Sequence, residues 1–208
     1  MSGQIINLAV RTPVFEGKER RIYAHPDDTE LLIKIARAEP LGHHQSKIPQ
    51  GHRYGPLANA IGELSDQLAI RSSGVEHPPY LQNIVGFADT DLGLGVVVKA
   101  LFGKDGAYAP TLYRIVADNK FNSTARTDLE HFLKWVIEAD VVLNDINARN
   151  LVYAHRNGAS HFVLVDGYGG VPTPLYRLFP GLQKTSKRRK AKRLFERLKT
   201  IPGRERNG

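Results

Sequence analysis

Three oxygen-bearing side chains in the second half of the chain have the types and spacing of a metal and phosphate site. Asp145 and Asn150 lie five residues apart in a polar loop, and Asp166 follows the apolar run 162–165. Residues 151–153 and 162–165 are predicted to be the arms of a β-hairpin. Asn150 comes directly before the first arm and Asp166 directly after the second, so the two residues lie at the same end of the hairpin. The two can then share a hard cation such as Mg²⁺, and Asp145 can accept a proton from an attacking hydroxyl. The same residues could instead cap turns in an ordinary polar hairpin.

A lysine in the first half lies at a position where a charge requires a partner. Lys34 lies inside the apolar run 31–36, where a charge is costly unless it is paired. Glu63 is its candidate partner, because it lies beside the apolar stripe of the next amphipathic helix (Leu57, Ile61, Leu64 and Leu68). The alternatives are a lysine that faces solvent from an edge strand and an exposed helical glutamate.

Together these residues resemble the motifs of the protein-kinase and aminoglycoside-phosphotransferase superfamily. Asp145 matches the catalytic-base Asp, Asn150 the metal-binding Asn five residues on, and Asp166 the metal-binding Asp of the Asp-Phe-Gly motif. Lys34 matches the strand lysine that holds the nucleotide phosphates, and Glu63 the helix glutamate that pairs with it. The resemblance implies ATP and Mg²⁺ as cofactors, bound between two lobes.

The chain also departs from the kinase pattern in several places. The segment before the lysine strand, 15–19, holds a single glycine, Gly17, and Asn147 stands where protein kinases keep a lysine. Asp-Phe-Gly becomes Asp-Gly-Tyr-Gly at 166–169, and 39 residues follow Gly169. We therefore expect a truncated C-terminal lobe. Transfer of phosphate to a small molecule or to the protein itself is then favoured over a protein substrate.

A second resemblance is narrower. The run RIYAHPDD at 21–28, followed by Ile33-Lys34-Ile35, resembles the YrbL family of bacterial proteins, known as PhoP regulatory network proteins. Those chains are similar in length, with a Tyr-x-His-Pro turn before the lysine strand and a basic C-terminal helix. This resemblance supports the fold more than it supports a reaction.

The remaining patterns predict an α+β chain with a protein-kinase-like two-lobed fold. Strands are predicted at 5–10, 20–24, 31–36, about 82–88 and about 95–101, and a loop at 37–56. Helices are predicted from Pro56 onward, at 112–117, and over an apolar stripe (Leu129, Phe132, Leu133, Val136 and Ile137) that Ser123 or Thr127 would cap. The polar break at 102–106 separates a strand-rich lobe, 1–101, from a reduced helical lobe, 107–208.

The positive charge is concentrated at the end of the chain. Residues 184–208 hold 11 Lys and Arg against two Glu, whereas residues 1–183 hold 18 against 19 acidic residues. Apolar residues recur at helical spacing among these cations, which predicts an amphipathic helix that packs on the C-terminal lobe with its lysines and arginines solvated. Contact of this helix with anionic lipid or nucleic acid is the alternative.

The composition is that of a globular protein without thiol chemistry. The chain has no cysteine, which excludes disulfides and thiolate metal sites. No apolar run is long enough to span a membrane, and residues 1–4 do not resemble a secretory signal, so we expect a cytoplasmic protein. Two functions remain open. One is an ATP- and magnesium-dependent phosphotransferase, and the other is a non-catalytic pseudokinase that serves as a regulatory binding module.

Overall fold

The chain folds into a mixed α and β structure, as the sequence predicts. The computed structural model describes residues 5–37, 54–74, 78–169 and 180–203. It divides the chain into two compact units, Met1–Leu64 with Asn83–Ala100, and Ser65–Gln82 with Leu101–Gly208. The lobe boundary predicted at 102–106 would place residues 65–82 in the first lobe, whereas they belong to the second unit.

The first unit is built on a five-stranded antiparallel sheet. Its strands are ordered β1-β2-β3-β5-β4, with bounds β1 Phe15–Glu16, β2 Arg20–Ala24, β3 Leu31–Ala36, β4 Ile84–Thr90 and β5 Gly93–Lys99. A buried cluster of Leu8, Tyr23, Ile33, Ile35 and Val97 packs on one face of the sheet. Successive side chains of a strand face opposite sides, so Lys34 lies on the other face, paired in register with Ile22 and Val96.

Helix α1, Ala58–Ser72, follows a 3-10 turn at Gly55–Leu57 and confirms the predicted helix, but the predicted apolar stripe is only partly buried. Leu68 is 55% exposed, whereas Ala60, Glu63, Asp66, Gln67 and Ile70 are buried. Leu57, Ile61 and Leu64 are half-buried, so the prediction fails at Leu68 and not for the whole stripe. The buried face of the helix is largely polar, and its acids and amide bond to groups on other segments, as described below.

The second unit combines helices with a two-stranded hairpin. Its elements are α2 Leu112–Ala117, α3 Ser123–Glu138, β6 Leu151–Arg156, β7 Ala159–Leu164 and α4 Pro180–Leu198. The hairpin turns through Asn157 and Gly158, both at positive φ, as the sequence predicts. The unit has its own core (including Leu112, Leu129, Phe132, Val136, Leu151, Phe162, Leu164 and Leu194).

Three local predictions are wrong or fall elsewhere. Residues 5–10 form no strand, since only Ile6 makes an isolated parallel bridge, to Thr90. Helix α3 is capped by Asn122, whose side chain accepts a 2.9 Å hydrogen bond from the Ala125 N–H, and not by Ser123 or Thr127. Most of the loop predicted at 37–56, residues 38–53, lies outside the described residues.

Candidate metal and phosphate site

The loop that carries Asp145 and Asn150 is organised by a third side chain, Asn147. The Asn147 amide donates a 2.7 Å hydrogen bond to Oδ2 of Asp145. Its oxygen accepts hydrogen bonds from the backbone N–H groups of Arg149 (2.9 Å) and Asn150 (3.1 Å). Asn147 therefore fixes the carboxylate of Asp145 and the backbone of Asn150 in one local arrangement. In the sequence, Asn147 stands out only as a departure from the kinase motif, and its spacing gives no signal of this role.

The turn that carries Asp166 is joined directly to this loop. The carbonyl oxygen of Gly167 accepts hydrogen bonds from the N–H groups of Asn144 (2.9 Å) and Asp145 (2.8 Å). The N–H of Val165 donates to the carbonyl oxygen of Asn150 at 2.9 Å. The fold thus brings the two segments that hold Asp145, Asn150 and Asp166 into hydrogen-bond contact.

Gly167 accounts for one departure from the kinase motif. Its φ is +85°, a conformation that side chains rarely adopt, and a β-carbon there would collide with the carbonyl oxygen of Asp145 and lie 2.9 Å from Asn150 Nδ2. No aromatic side chain fits at position 167. The aromatic residue of the motif stands instead at Tyr168, which is buried and bonded at 2.7 Å to the amide of Gln67.

A buried carboxylate lies behind the two segments. Asp66 of α1 accepts a 2.7 Å hydrogen bond from the N–H of Val142, and the N–H of Gly169 in turn donates to the Val142 carbonyl oxygen at 2.8 Å. Burial raises the pKa of Asp66 to about 7, while backbone hydrogen bonds and Lys187 oppose the rise. Asp66 thus supports the backbone from which the site residues project.

Helix α4 holds the segment that leads into the site. Lys187 is 2% exposed and donates to the carbonyl oxygen of Ala139 at 2.6 Å, and Lys190 donates to that of Leu143. Burial lowers the pKa of Lys187. The helix packs on the second unit as the sequence predicts, but the prediction that its lysines are all solvated is wrong. The inner lysines satisfy backbone carbonyls instead.

An open depression of about 500 Å³ adjoins the loop. Arg149, next to Asn150, stacks its guanidinium over the ring of Tyr113 at 3.8 Å, and both residues form part of the wall. The remaining lining residues are Thr111, Arg114, Ala117, Asp118, Pro202 and Gly203.

In the first unit, Lys34 and Glu63 are both buried, at 4% and 2% exposure. The alternatives of a solvent-facing lysine and an exposed glutamate are therefore wrong. The Glu63 carboxylate is bound by Arg20, with 2.8 Å between Arg20 Nη2 and Oε1. Arg20 faces the same side of the sheet as Lys34, because Arg20 pairs with Ala36 and Ile22 with Lys34. Sequence reasoning missed Arg20, although its place on the strand next to β3 was a usable signal.

The segment that matches a glycine-rich loop is a short hairpin between β1 and β2. The Gly17 N–H donates to the Arg20 carbonyl oxygen at 2.8 Å, and Arg37 donates to the Gly17 carbonyl oxygen at 3.0 Å. Arg37 also pairs with Glu16 at 2.9 Å. The hairpin is therefore held by its own backbone hydrogen bond and by Arg37, which lies just after β3.

The donor chemistry at 145–166 fits magnesium better than a transition metal. Within the ranges that the structure describes, no three His, Cys, Asp or Glu side chains group as a metal site. Magnesium commonly binds one or two carboxylates and completes its shell with water and phosphate oxygens. Asp166 and Asn150 could supply such a partial shell, so the residues present suit a metal that arrives with a phosphate group.

Comparison with known proteins gives a family. The model of a family described as PhoP regulatory network protein YrbL matches residues 6–201. The chain belongs to the YrbL family. This confirms the family resemblance read from residues 21–35. No curated protein matches the chain. Across the described part of the chain, no helix is long and apolar enough to cross a membrane.

Proposed function

We propose that this YrbL-family chain is a kinase-like protein that binds ATP with magnesium and transfers phosphate to a small molecule or to itself. The observation that carries the proposal is the close approach at Gly167, whose Cα leaves no room for a side chain between Asp145 and Asn150. In this proposal Asn150 and Asp166 hold the metal, and Asp145 orients or deprotonates the acceptor hydroxyl.

Residues of the first unit add support from an independent region. In kinases a lysine on the third strand holds the nucleotide phosphates and a glutamate on the following helix pairs with that lysine, and the first unit has both residue types on those elements. Lys34 would bind the phosphates, and Glu63 would hold Arg20, which lies on the same side of the sheet as Lys34. Magnesium would supply neutralisation of phosphate charge, and positioning by these residues would supply most of the remaining rate enhancement.

The first experiment tests binding. Thermal and urea unfolding are followed with and without ATP and Mg²⁺ in the wild type and Asp166→Ala, with Asp89→Ala as the matched control. Asp89 is exposed on β4. Ligand at about 100 times its Kd stabilises by about 2.7 kcal/mol, so a magnesium-dependent gain should appear in the wild type and control and vanish in Asp166→Ala. A wild type whose stability does not rise with ATP and magnesium would contradict the proposed ATP site.

The second experiment separates the enzyme from the pseudokinase. Asp145→Asn keeps an acceptor for the Asn147 amide but removes the carboxylate. For a phosphotransferase we expect Asp145→Asn to bind ATP and magnesium like the wild type while ATP turnover and self-phosphorylation fall by about 10²-fold or more. Binding without any turnover that depends on Asp145 would favour the regulatory binding module.

A further inference from the structure

The cations of α4 fall into two groups with different surroundings. Lys184 pairs with Glu138 at 2.5 Å on the surface, and Lys187 and Lys190 donate to backbone carbonyls, so all three lysines have partners within the chain. Six other cations on the helix and just after it are exposed. We call this group the outer basic face (Arg188, Arg189, Lys192, Arg193, Arg197 and Lys199).

The apolar side of the same helix is already used. Ala191, Leu194 and Leu198 are buried in the core of the second unit, and Phe195 packs against that core. A helix that lies in a membrane interface inserts its apolar face among the lipids and keeps its cations at the headgroups. Since α4 buries its apolar face within the protein, no apolar surface of the helix core is left beside the outer basic face to insert among lipids. This argues against membrane insertion as the purpose of the charge.

The arrangement of the outer basic face fits a line of phosphates. From Arg188 to Lys199 the chain advances about 17 Å at 1.5 Å per helical residue. A nucleic-acid duplex carries one negative charge per roughly 1.7 Å of its axis, so about ten phosphates lie along that length. Four of the six cations are arginines, whose planar guanidinium binds phosphate through two parallel hydrogen bonds. Glu196 is the single acidic residue between 180 and 203.

We propose that the outer basic face binds the phosphate backbone of a nucleic-acid duplex without regard to base sequence. The interaction is separate from the proposed nucleotide site and does not depend on it. Binding would release counterions from the duplex, so affinity should fall steeply with salt. Contacts would go to phosphates and not to base edges, because Lys and Arg on one convex helix face can follow a backbone of any sequence.

The test measures fluorescence anisotropy of the full chain with labelled 20-base-pair duplexes of unrelated sequences, from 50 to 200 mM NaCl. With about six phosphate contacts, wild-type affinity should fall about 10³-fold over that range. A triple variant, Arg189→Gln with Lys192→Gln and Arg193→Gln, should bind less tightly at 50 mM and lose only about 40-fold over the same range.

A control variant carries the same change in net charge elsewhere. Lys18→Gln, Lys104→Gln and Lys120→Gln remove three exposed lysines outside α4 and should leave the salt dependence unchanged. Equal loss of binding in both triple variants would overturn the proposal, because overall charge would then explain the affinity. A wild type that binds vesicles containing phosphatidylserine more tightly than the duplex, at equal salt, would also overturn it in favour of a membrane.

Discussion

At the scale of single residues, Gly167 determines how the candidate site is assembled. Its carbonyl oxygen accepts two backbone hydrogen bonds from residues 144 and 145, and its Cα lies against Asp145 and Asn150. A glycine in this place combines a positive φ with an approach that leaves no space for a β-carbon. Both properties depend on tertiary contacts, so the sequence shows only that the aromatic of the motif has moved to position 168.

Gly167→Ala should therefore cost more than backbone strain alone. Gly106→Ala is the matched control, because Gly106 has φ +76° but no atom within 4 Å of its added β-carbon. The control should lose about 1–2 kcal/mol of unfolding free energy from the left-handed conformation. Gly167→Ala should lose at least about 2 kcal/mol more, since the loop must move to relieve the collision. Urea unfolding measures both, and equal losses in the two variants would contradict the close approach.

Asp66 gives a prediction about pH. Its pKa is raised to about 7 from an ordinary value of 3.8, mainly by burial, and Lys187 and Asp140 are the charged groups nearby. Between about pH 4 and pH 7 the Asp66 carboxyl is therefore protonated in the folded state and ionised in the unfolded state. This group's contribution to stability is greatest below pH 4 and declines as pH rises to 7, by up to about 4 kcal/mol at 1.36 kcal/mol per unit.

Asp66→Asn removes that titration and retains an oxygen for the Val142 N–H. The unfolding free energy of Asp66→Asn minus that of the wild type should rise by a few kcal/mol from pH 4 to pH 7 and level off above it. Urea unfolding at half-unit pH steps gives the difference. Asp89→Asn, a substitution at an exposed position on β4, is measured in parallel as the control for the loss of one carboxylate. A difference between Asp66→Asn and the wild type that stays constant with pH would mean that the pKa of Asp66 is not raised.

At the scale of elements, sequence patterns predicted the helices and turns that depend on neighbouring residues. The hairpin at 151–164 and helix α2 follow from turn residues and short apolar runs, and both agree with the structure. The face of α1 could not be read this way. Leu68 occupies the predicted stripe but is exposed, while Glu63, Asp66 and Gln67 are buried because each finds a hydrogen-bond partner far away in the sequence. Periodicity of apolar residues carries no record of such partners.

The same limit applies to the candidate site. The spacing of Asp145, Asn150 and Asp166 selected residues on two segments that the fold joins through backbone hydrogen bonds, and the roles of the three residues stay predictions. The residues that hold them in place, Asn147 and Asp66, were missed, because their roles rest on contacts with backbone groups. Common polar residues carry no distinguishing signal of this kind in one sequence.

The ion pair between Arg20 of β2 and Glu63 of α1 connects the helix to the sheet of the first unit, and its contribution to stability can be measured. Both side chains are largely buried, so removal of one leaves a charge without its main partner. Arg20→Met and Glu63→Gln should each cost about 3–5 kcal/mol, and the double variant should cost clearly less than their sum. A double-mutant cycle by urea unfolding measures the coupling. Additive losses would show that Arg20 contributes nothing through Glu63.

At the scale of the whole molecule, charge is distributed unevenly. Residues 184–208 carry a net charge of +9 (11 basic against two acidic residues), and residues 1–183 carry −1 (18 basic against 19 acidic), for a total of +8. On the outer basic face, like charges repeat at i and i+4 in the pairs Arg188–Lys192, Arg189–Arg193 and Arg193–Arg197. Such pairs destabilise a helix by about 0.2–0.5 kcal/mol each, so the face opposes the stability of the element that carries it.

Neutralising this face should therefore stabilise the protein at low salt. The triple variant at 189, 192 and 193 keeps good helix formers and removes all three like-charge pairs, which together cost about 0.6–1.5 kcal/mol. It also removes the weaker attractions of Glu196 to Lys192 and Arg193, so we expect a net gain of about 0.3–0.5 kcal/mol at 20 mM NaCl. The gain should vanish at 500 mM NaCl, where charges on the surface are screened. Urea unfolding at the two salt concentrations measures it, with the triple lysine variant outside α4 as control. A loss of stability at low salt would mean that these cations serve the fold, whereas a gain is what a surface kept for an anionic partner should show.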